Sequence, residues 1–246
     1  MLRLRTLVVT LAATLVVACG ATDPAAPVEE AVAPADPETV VGSILRVDPR
    51  VDALIPADAR IEKLAEGFTF SEGPVWIRGE SRLLFSDVRG NEIYEWSETT
   101  GATTFIDPVF EGDRTGKGSV SSNGLTLDAE GRLIICEHGN RRISRLEADG
   151  SRSVVVEDFS GGQLNSPNDA VYASDGSLYF TDPPYGLEGL EESPARELDF
   201  NGIYRLSPGG DLELLVRDQT RPNGIALSPD ESTLYVANSD AENKVW

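Results

Sequence analysis

The chain has 246 residues, 40% of them hydrophobic, with 23 Gly and 15 Pro, enough to bury a core in one large domain or two small ones. Its 41 Asp and Glu against 21 Lys and Arg give a formal charge of -20, the wrong sign for gripping a phosphate backbone or an anionic membrane surface, and nucleic acid is set aside as a partner. With 2 Cys, 1 Met and 1 His the sequence offers no Cys/His zinc set, no usual haem ligation and no disulfide framework, so any metal it binds must be held by oxygens.

In chain order, residues 1–18 come first, with Arg3 and Arg5 ahead of the apolar run Leu7 to Ala18, 12 residues long. Spanning a bilayer as a helix takes roughly 20 residues. A charged start, a short apolar stretch and small residues at its end predict a signal peptide. That end, Val16-Val17-Ala18-Cys19-Gly20, resembles the lipobox of bacterial lipoproteins, which implies acylation of Cys19; ordinary cleavage beside an incidental Cys is the alternative. Residues 19–42, rich in Ala, Pro, Glu and Asp without period, bury too little apolar surface to offset chain entropy and predict an acidic, disordered tether. The expected location is therefore outside the cytoplasm, in the periplasm or cell envelope, with the lipid as the sole membrane contact. Once Cys19 is acylated, Cys136 has no disulfide partner.

The remainder, 43–246, repeats one phrase at intervals of 51, 45 and 55 residues, marked by Glu72, Asn123, Asn168 and Asn223. Each marker opens a predicted strand, as in Glu72-Gly73-Pro74-Val75-Trp76 and Asn223-Gly224-Ile225-Ala226-Leu227. A second strand follows and ends on an acid or amide: Leu83 to Asp87, Leu133 to Glu137, Leu178 to Asp182, Leu234 to Asn238. Third strands start at Ile93, Ile143 and Ile203; fourth strands run from Thr103, Ser153 and Leu212. Four short strands in a unit of about 45 to 50 residues, joined by turns such as Ser174-Asp175-Gly176, mark a β-propeller blade rather than a sandwich, which would not repeat in register. A lone strand is expected at Ile61–Ala65, and the fourth unit stops at Val245-Trp246, so the fold class expected is all-β, an open arc of about three and a half blades.

The innermost strand of a propeller blade starts beside the central channel, so Glu72, Asn123, Asn168 and Asn223 should converge there. Asn before Gly or Asp also simply punctuates turns. Glu72 argues against that plainer account, since Glu has no special turn chemistry yet stands at the same repeat position. One carboxylate ringed by amide oxygens suits a hard cation, for Ca2+ takes six to eight oxygens.

Phe70-Ser71-Glu72-Gly73-Pro74-Val75-Trp76, Ser166-Pro167-Asn168-Asp169, Tyr179-Phe180-Thr181-Asp182-Pro183 and Arg221-Pro222-Asn223-Gly224-Ile225, in order and at blade spacing, resemble the family of gluconolactonase, senescence marker protein and luciferin-regenerating enzyme. The resemblance implies a six-bladed propeller with a divalent metal in its channel, Ca2+ first and Zn2+ or Mg2+ as alternatives. Carried over, it places metal ligands on Glu72, Asn168 and Asn223, with Asn168 also able to touch substrate, and a catalytic Asp beyond Trp246. Asn123 and His138 are expected to contact substrate. The implied reaction is hydrolysis of a sugar lactone whose carbonyl the metal polarises, and the chain by itself is expected to be inactive. A related esterase or organophosphate hydrolase is one alternative; a non-catalytic, envelope-tethered propeller that binds protein or glycan partners is another.

For several residues a structural account competes. His138 is either a hydrogen-bonding group at the channel mouth or a surface-loop histidine. Asp87, Glu137 and Asp182 are expected to accept turn N–H groups at strand ends rather than to perform acid–base work. Cys136, in an apolar strand, is expected to be a buried small hydrophobe. The acidic stretch Glu188 to Asp199 is expected to be a solvated loop over the channel.

Overall fold

The structure, a computed structural model, describes residues 40–240, so the expected signal peptide, Cys19, most of the tether and Val245-Trp246 lie outside the described residues. The chain forms two compact units that divide after Glu62. In the first, Val40 bridges to Glu62, and a short 3-10 helix spans Pro49–Ala53, its N-cap Asp48 accepting the Arg50 amide at 2.8 Å. Ile61–Ala65 forms no strand: that bridge is the segment's sheet pairing among the described residues. No helix among the described residues is long and apolar enough to cross a membrane.

The second unit is a row of antiparallel sheets. β1 (Ser71–Ile77), β2 (Arg82–Asp87), β3 (Glu92–Ser97) and β4 (Gly101–Ile106) form one sheet in that order. β5 (Ser122–Leu127), β6 (Leu133–Glu137), β7 (Arg142–Leu146) and β8 (Arg152–Val156) form the next. A small hairpin, β9 (Asp158–Phe159) with β10 (Gly162–Gln163), was not foreshadowed by the repeat. Then come β11 (Ala170–Tyr172), β12 (Leu178–Asp182), β13 (Gly202–Leu206) and β14 (Leu212–Val216), again four strands in order, and the pair β15 (Pro222–Leu227) with β16 (Leu234–Asn238). All pairings are antiparallel neighbours in sequence, as short turns dictate. In the β5–β6 turn, for example, Asp128 takes the Gly131 amide at 2.9 Å on its carbonyl and the Glu130 and Arg132 amides on its side chain.

Two apolar layers hold the sheets together. Successive side chains of a strand point to opposite faces, and in β6 both faces are apolar: Leu133 and Ile135 pack with Leu84 and Ile93 of the first sheet, while Ile134 and Cys136 pack with Phe180 and Tyr204 of the third. A strand sandwiched on both sides reads as a continuous apolar run, and every residue of β6 is buried. Cys136 is a free, buried thiol, pushed well up from its ordinary pKa by desolvation and by neighbouring carboxylates. Its inert, hydrophobic part in the core is as expected.

The loop Glu188 to Asp199 departs from a solvated loop. Leu198 and Ser193 are buried, Arg141 donates to the Ala195 carbonyl at 2.9 Å, and Glu191 pairs with Arg221 at 2.9 Å. Leu187, just before it, bridges to Lys117. The leucines and arginines within and around this acidic segment tie it down.

Candidate functional site

The four marker turns abut one another in chain order. In β1, β5 and β15 the pairing slips by one residue around the marker, between Ser122 and Leu125 and between Pro222 and Ile225, and one residue later in β1, between Glu72 and Val75. Such a bulge bends the strand and re-aims the residue within it. Gly73, at φ +56, lies so close to the second sheet that a Cβ there would come within 1.9 Å of the Asn123 carbonyl oxygen. The Gly124 amide donates to the Asn168 carbonyl at 2.6 Å. Asp169 carries the chain of contacts onward, its Oδ2 accepting the Ile225 amide at 2.9 Å.

Hydroxyls brace the same layer. Ser86 lies 2.7 Å from Ser122 and donates to the Asn123 carbonyl at 2.8 Å, and Thr181 donates to the Asn223 carbonyl at 2.6 Å. Glu72, Asn123, Asn168 and Asn223 are thus brought to adjoining positions along the inner strands. The plainer account, isolated turn punctuation, does not explain why each turn is locked to its neighbour.

Electrostatically the layer is acidic. Burial pushes the Asp169 carboxyl above its ordinary pKa, against two backbone N–H bonds that lower it, and the Glu72 charge adds to the rise. Among the described residues the Glu72 side chain has no hydrogen bond or ion pair, and the buried Nδ2 of Asn168 has no acceptor. No three His, Cys, Asp or Glu side chains cluster as a metal site among the described residues. A cation here would rest on carboxylate and amide oxygens, a donor set that suits a hard ion. An unpaired carboxylate and a second carboxylate that it repels fit such an ion. Asp169 was not singled out from sequence, although it stands where the other three repeats have Gly73, Gly124 and Gly224.

The strand-end acids divide. Asp87 accepts the Thr69, Phe70 and Gly90 amides at 2.8, 3.0 and 3.1 Å; burial opposes its ionisation, yet these bonds hold it below its ordinary pKa. Asp182 accepts the Asn165 and Ser166 amides at 2.8 and 2.7 Å, and full burial pushes it up to about 7 despite those bonds and the Arg141 and Arg196 charges. Both staple the turn before an inner strand, as expected. Glu137 does not: it faces its own sheet's outer strands, accepting from Arg142 and Arg152 at 3.0 Å each and from Ser144 and Asn140.

His138 corrects the surface-loop expectation, for it is 1% exposed. Both its ring nitrogens lack partners among the described residues, and desolvation pushes its pKa down to about 4.

With this geometry in view, the comparisons are specific. The pattern described as SMP-30/Gluconolactonase/LRE-like region matches residues 70–246. The chain belongs to that family. A gluconolactonase of Zymomonas mobilis is 40% identical over 213 residues, which are 85% of this chain and 60% of that protein. A solved gluconolactonase of Xanthomonas campestris is 34% identical with a TM-score of 0.68, over 84% of this chain and 64% of that one. The calcium-binding protein regucalcin of Agrobacterium tumefaciens, at 19% identity and TM-score 0.52, covers 71% of this chain and shares the fold. The chain therefore spans under two thirds of the length of these relatives, and its all-β, antiparallel architecture is that of their family.

Proposed function

We propose that the protein hydrolyses a sugar lactone, and that its three four-stranded sheets and the β15–β16 pair form part of a six-bladed ring whose channel holds the reaction. The observation that carries this reading is the interlocked layer of Glu72, Asn123, Asn168 and Asn223 in a chain 40% identical to a gluconolactonase. Activity is proposed for the whole protein, because the chain spans 60% of that relative.

Glu72, Asn168 and Asn223 would hold a divalent cation, Ca2+ in the first instance, and such an ion supplies Lewis acidity toward a carbonyl oxygen. The chain's own groups supply the rest. Asn123, 8% exposed and fixed at its carbonyl by Ser86, offers amide hydrogen bonds to the ligand's hydroxyls. Asn168 has its backbone fixed on both sides, its carbonyl accepting the Gly124 amide and its own amide donating to the Thr181 carbonyl. Positions set by backbone bonds cost no reorganisation when charge develops in the transition state.

The same reading places the protein in the bacterial envelope, exported through residues 1–18 and anchored by a lipid on Cys19. Hydrolysis is tested by following proton release from D-glucono-1,5-lactone with the whole protein before and after exhaustive chelation, then with Ca2+ restored. Loss and recovery are expected. Full activity in the chelated protein would overturn the role of the cation, and no release under any condition would overturn the reaction.

A further inference from the structure

The second sheet breaks the repeat at one corner. Two residues before each marker stand Phe70, Ser121, Ser166 and Arg221. Three of them have their amides held by the acid or amide that ends the second strand: Phe70 by Asp87 at 3.0 Å, Ser166 by Asp182 at 2.7 Å and Arg221 by Asn238 at 2.7 Å. Glu137, the counterpart for Ser121, is one methylene longer and is drawn the other way by Arg142 and Arg152.

At the same corner lie buried polar atoms without partners among the described residues: the Ser121 hydroxyl and both nitrogens of His138. They are neighbours, since the His138 amide donates to the Ser121 carbonyl at 3.0 Å. Ser121 lies two residues before Asn123, and the next residue, Gly124, bonds Asn168. The corner therefore adjoins the marker layer. Its roof is the turn after β12. A Cβ on Gly186 would come within 2.7 Å of the His138 carbonyl oxygen, and the partly exposed Tyr185 ring lies 6.4 Å from the imidazole.

Leaving buried donors and acceptors unmade costs on the order of 1–3 kcal/mol each, so native proteins rarely do so without a water, ion or ligand to fill the place. Three such atoms at the one corner where the staple is missing mark a specialised site. We propose that Ser121 and His138 form a niche that hydrogen-bonds a hydroxyl group of the ligand, reached past Tyr185, and so select polyhydroxylated lactones over bare ones. A neutral imidazole can accept at one nitrogen and donate at the other, and a serine hydroxyl does both, which matches an alcohol rather than a carboxylate. The niche rests on the lactonase reading for its substrate, but its affinity for polyols does not.

His138 is the chain's one histidine, so its imidazole 15N signals are assigned by their loss in His138→Gln. The probe is 1,5-anhydro-D-glucitol, a ring polyol without the lactone carbonyl. A saturable shift of those signals is expected. In parallel, Ser121→Ala and His138→Gln should lower kcat/KM for D-glucono-1,5-lactone about tenfold more than for δ-valerolactone, the scale of one lost hydrogen bond to a substrate hydroxyl. An unmoved signal with the polyol overturns the niche, as does an equal loss on both lactones, which would mark a purely structural role. If wild-type protein hydrolyses neither lactone, the reaction reading falls, and the polyol shift alone decides the niche, with no variant needing to fold.

Discussion

The Asn168 carbonyl accepts the Gly124 amide at 2.6 Å, and this bond joins the inner strand of the second sheet to the turn that opens the third. A Cβ on Gly124 would come within 2.6 Å of the same carbonyl oxygen and of Asp169 Oδ1. The marker residues are set by contact between sheets, not by their own strands.

Gly124→Ala should therefore lower the stability of the fold by about 1–3 kcal/mol, the usual cost of forcing an extra methyl into a packed site. Gly73→Ala should cost at least as much, because its φ is +56 and its nearest neighbour backbone. Gly79, with open space around it, is the control, and its change to Ala should stay within about 0.5 kcal/mol. Urea denaturation of the three variants measures this, and equal midpoints for Gly79→Ala and Gly124→Ala would refute the interlock.

Asp182 sets a pH dependence. Its folded pKa of about 7 lies above the ordinary value of 3.8, so between those values the folded state binds more protons than the unfolded one. The contribution of Asp182 to stability is then present in full at low pH and is lost as pH rises from about 4 through 7. Asp182→Asn should flatten that part of the stability curve. A thermal-melt series whose slope over this window is the same in wild type and variant would count against it.

His138 acts in the opposite sense. Its folded pKa of about 4 lies below the ordinary 6.5, so its contribution is present above 6.5 and is lost as pH falls toward 4. His138→Gln should remove that acid-side loss, and the imidazole signals of the wild type should report neutrality at pH 6. Protonation with an ordinary midpoint would mean that the ring is open to water.

Glu72→Gln and Asn223→Ala in the whole protein should each cut lactone hydrolysis about a hundredfold, the scale of an essential electrostatic contributor. Each should also weaken Ca2+ binding in calorimetry. Asn123→Ala should raise KM while leaving Ca2+ affinity nearly unchanged; the reverse pattern would move Asn123 among the cation's ligands.

Mass spectrometry of the mature protein from a bacterial host should show an N-terminus at Cys19 carrying lipid, and Cys19→Ser should release the protein from the membrane fraction. Any other unmodified first residue would overturn the anchor.

Much of the local structure was legible because it is governed by short-range rules. The recurring phrase and its turn signals located β6 as Leu133–Glu137 and β12 as Leu178–Asp182 with the bounds observed, and Glu72, Asn123, Asn168 and Asn223 marked where the first strand of each repeat begins. Ile61–Ala65 misled, since an apolar pattern becomes a strand only where a partner edge supplies its hydrogen bonds. The hairpin Asp158–Gln163 was missed because two-residue strands leave too little pattern to read.

The sequence by itself determined the family, the sheet order and the residues at the marker positions, because hydrophobic period, turn chemistry and repeat spacing are properties of the chain alone. Tertiary structure decided which polar groups are satisfied. Asp87 and Glu137 stand at the same repeat position, yet one staples a turn and the other is claimed by Arg142 and Arg152, a difference set by side-chain reach and by neighbours on other strands. For the same reason His138, the residue after Glu137, was found buried, with ring nitrogens lacking partners among the described residues, only once the sheets were packed around it.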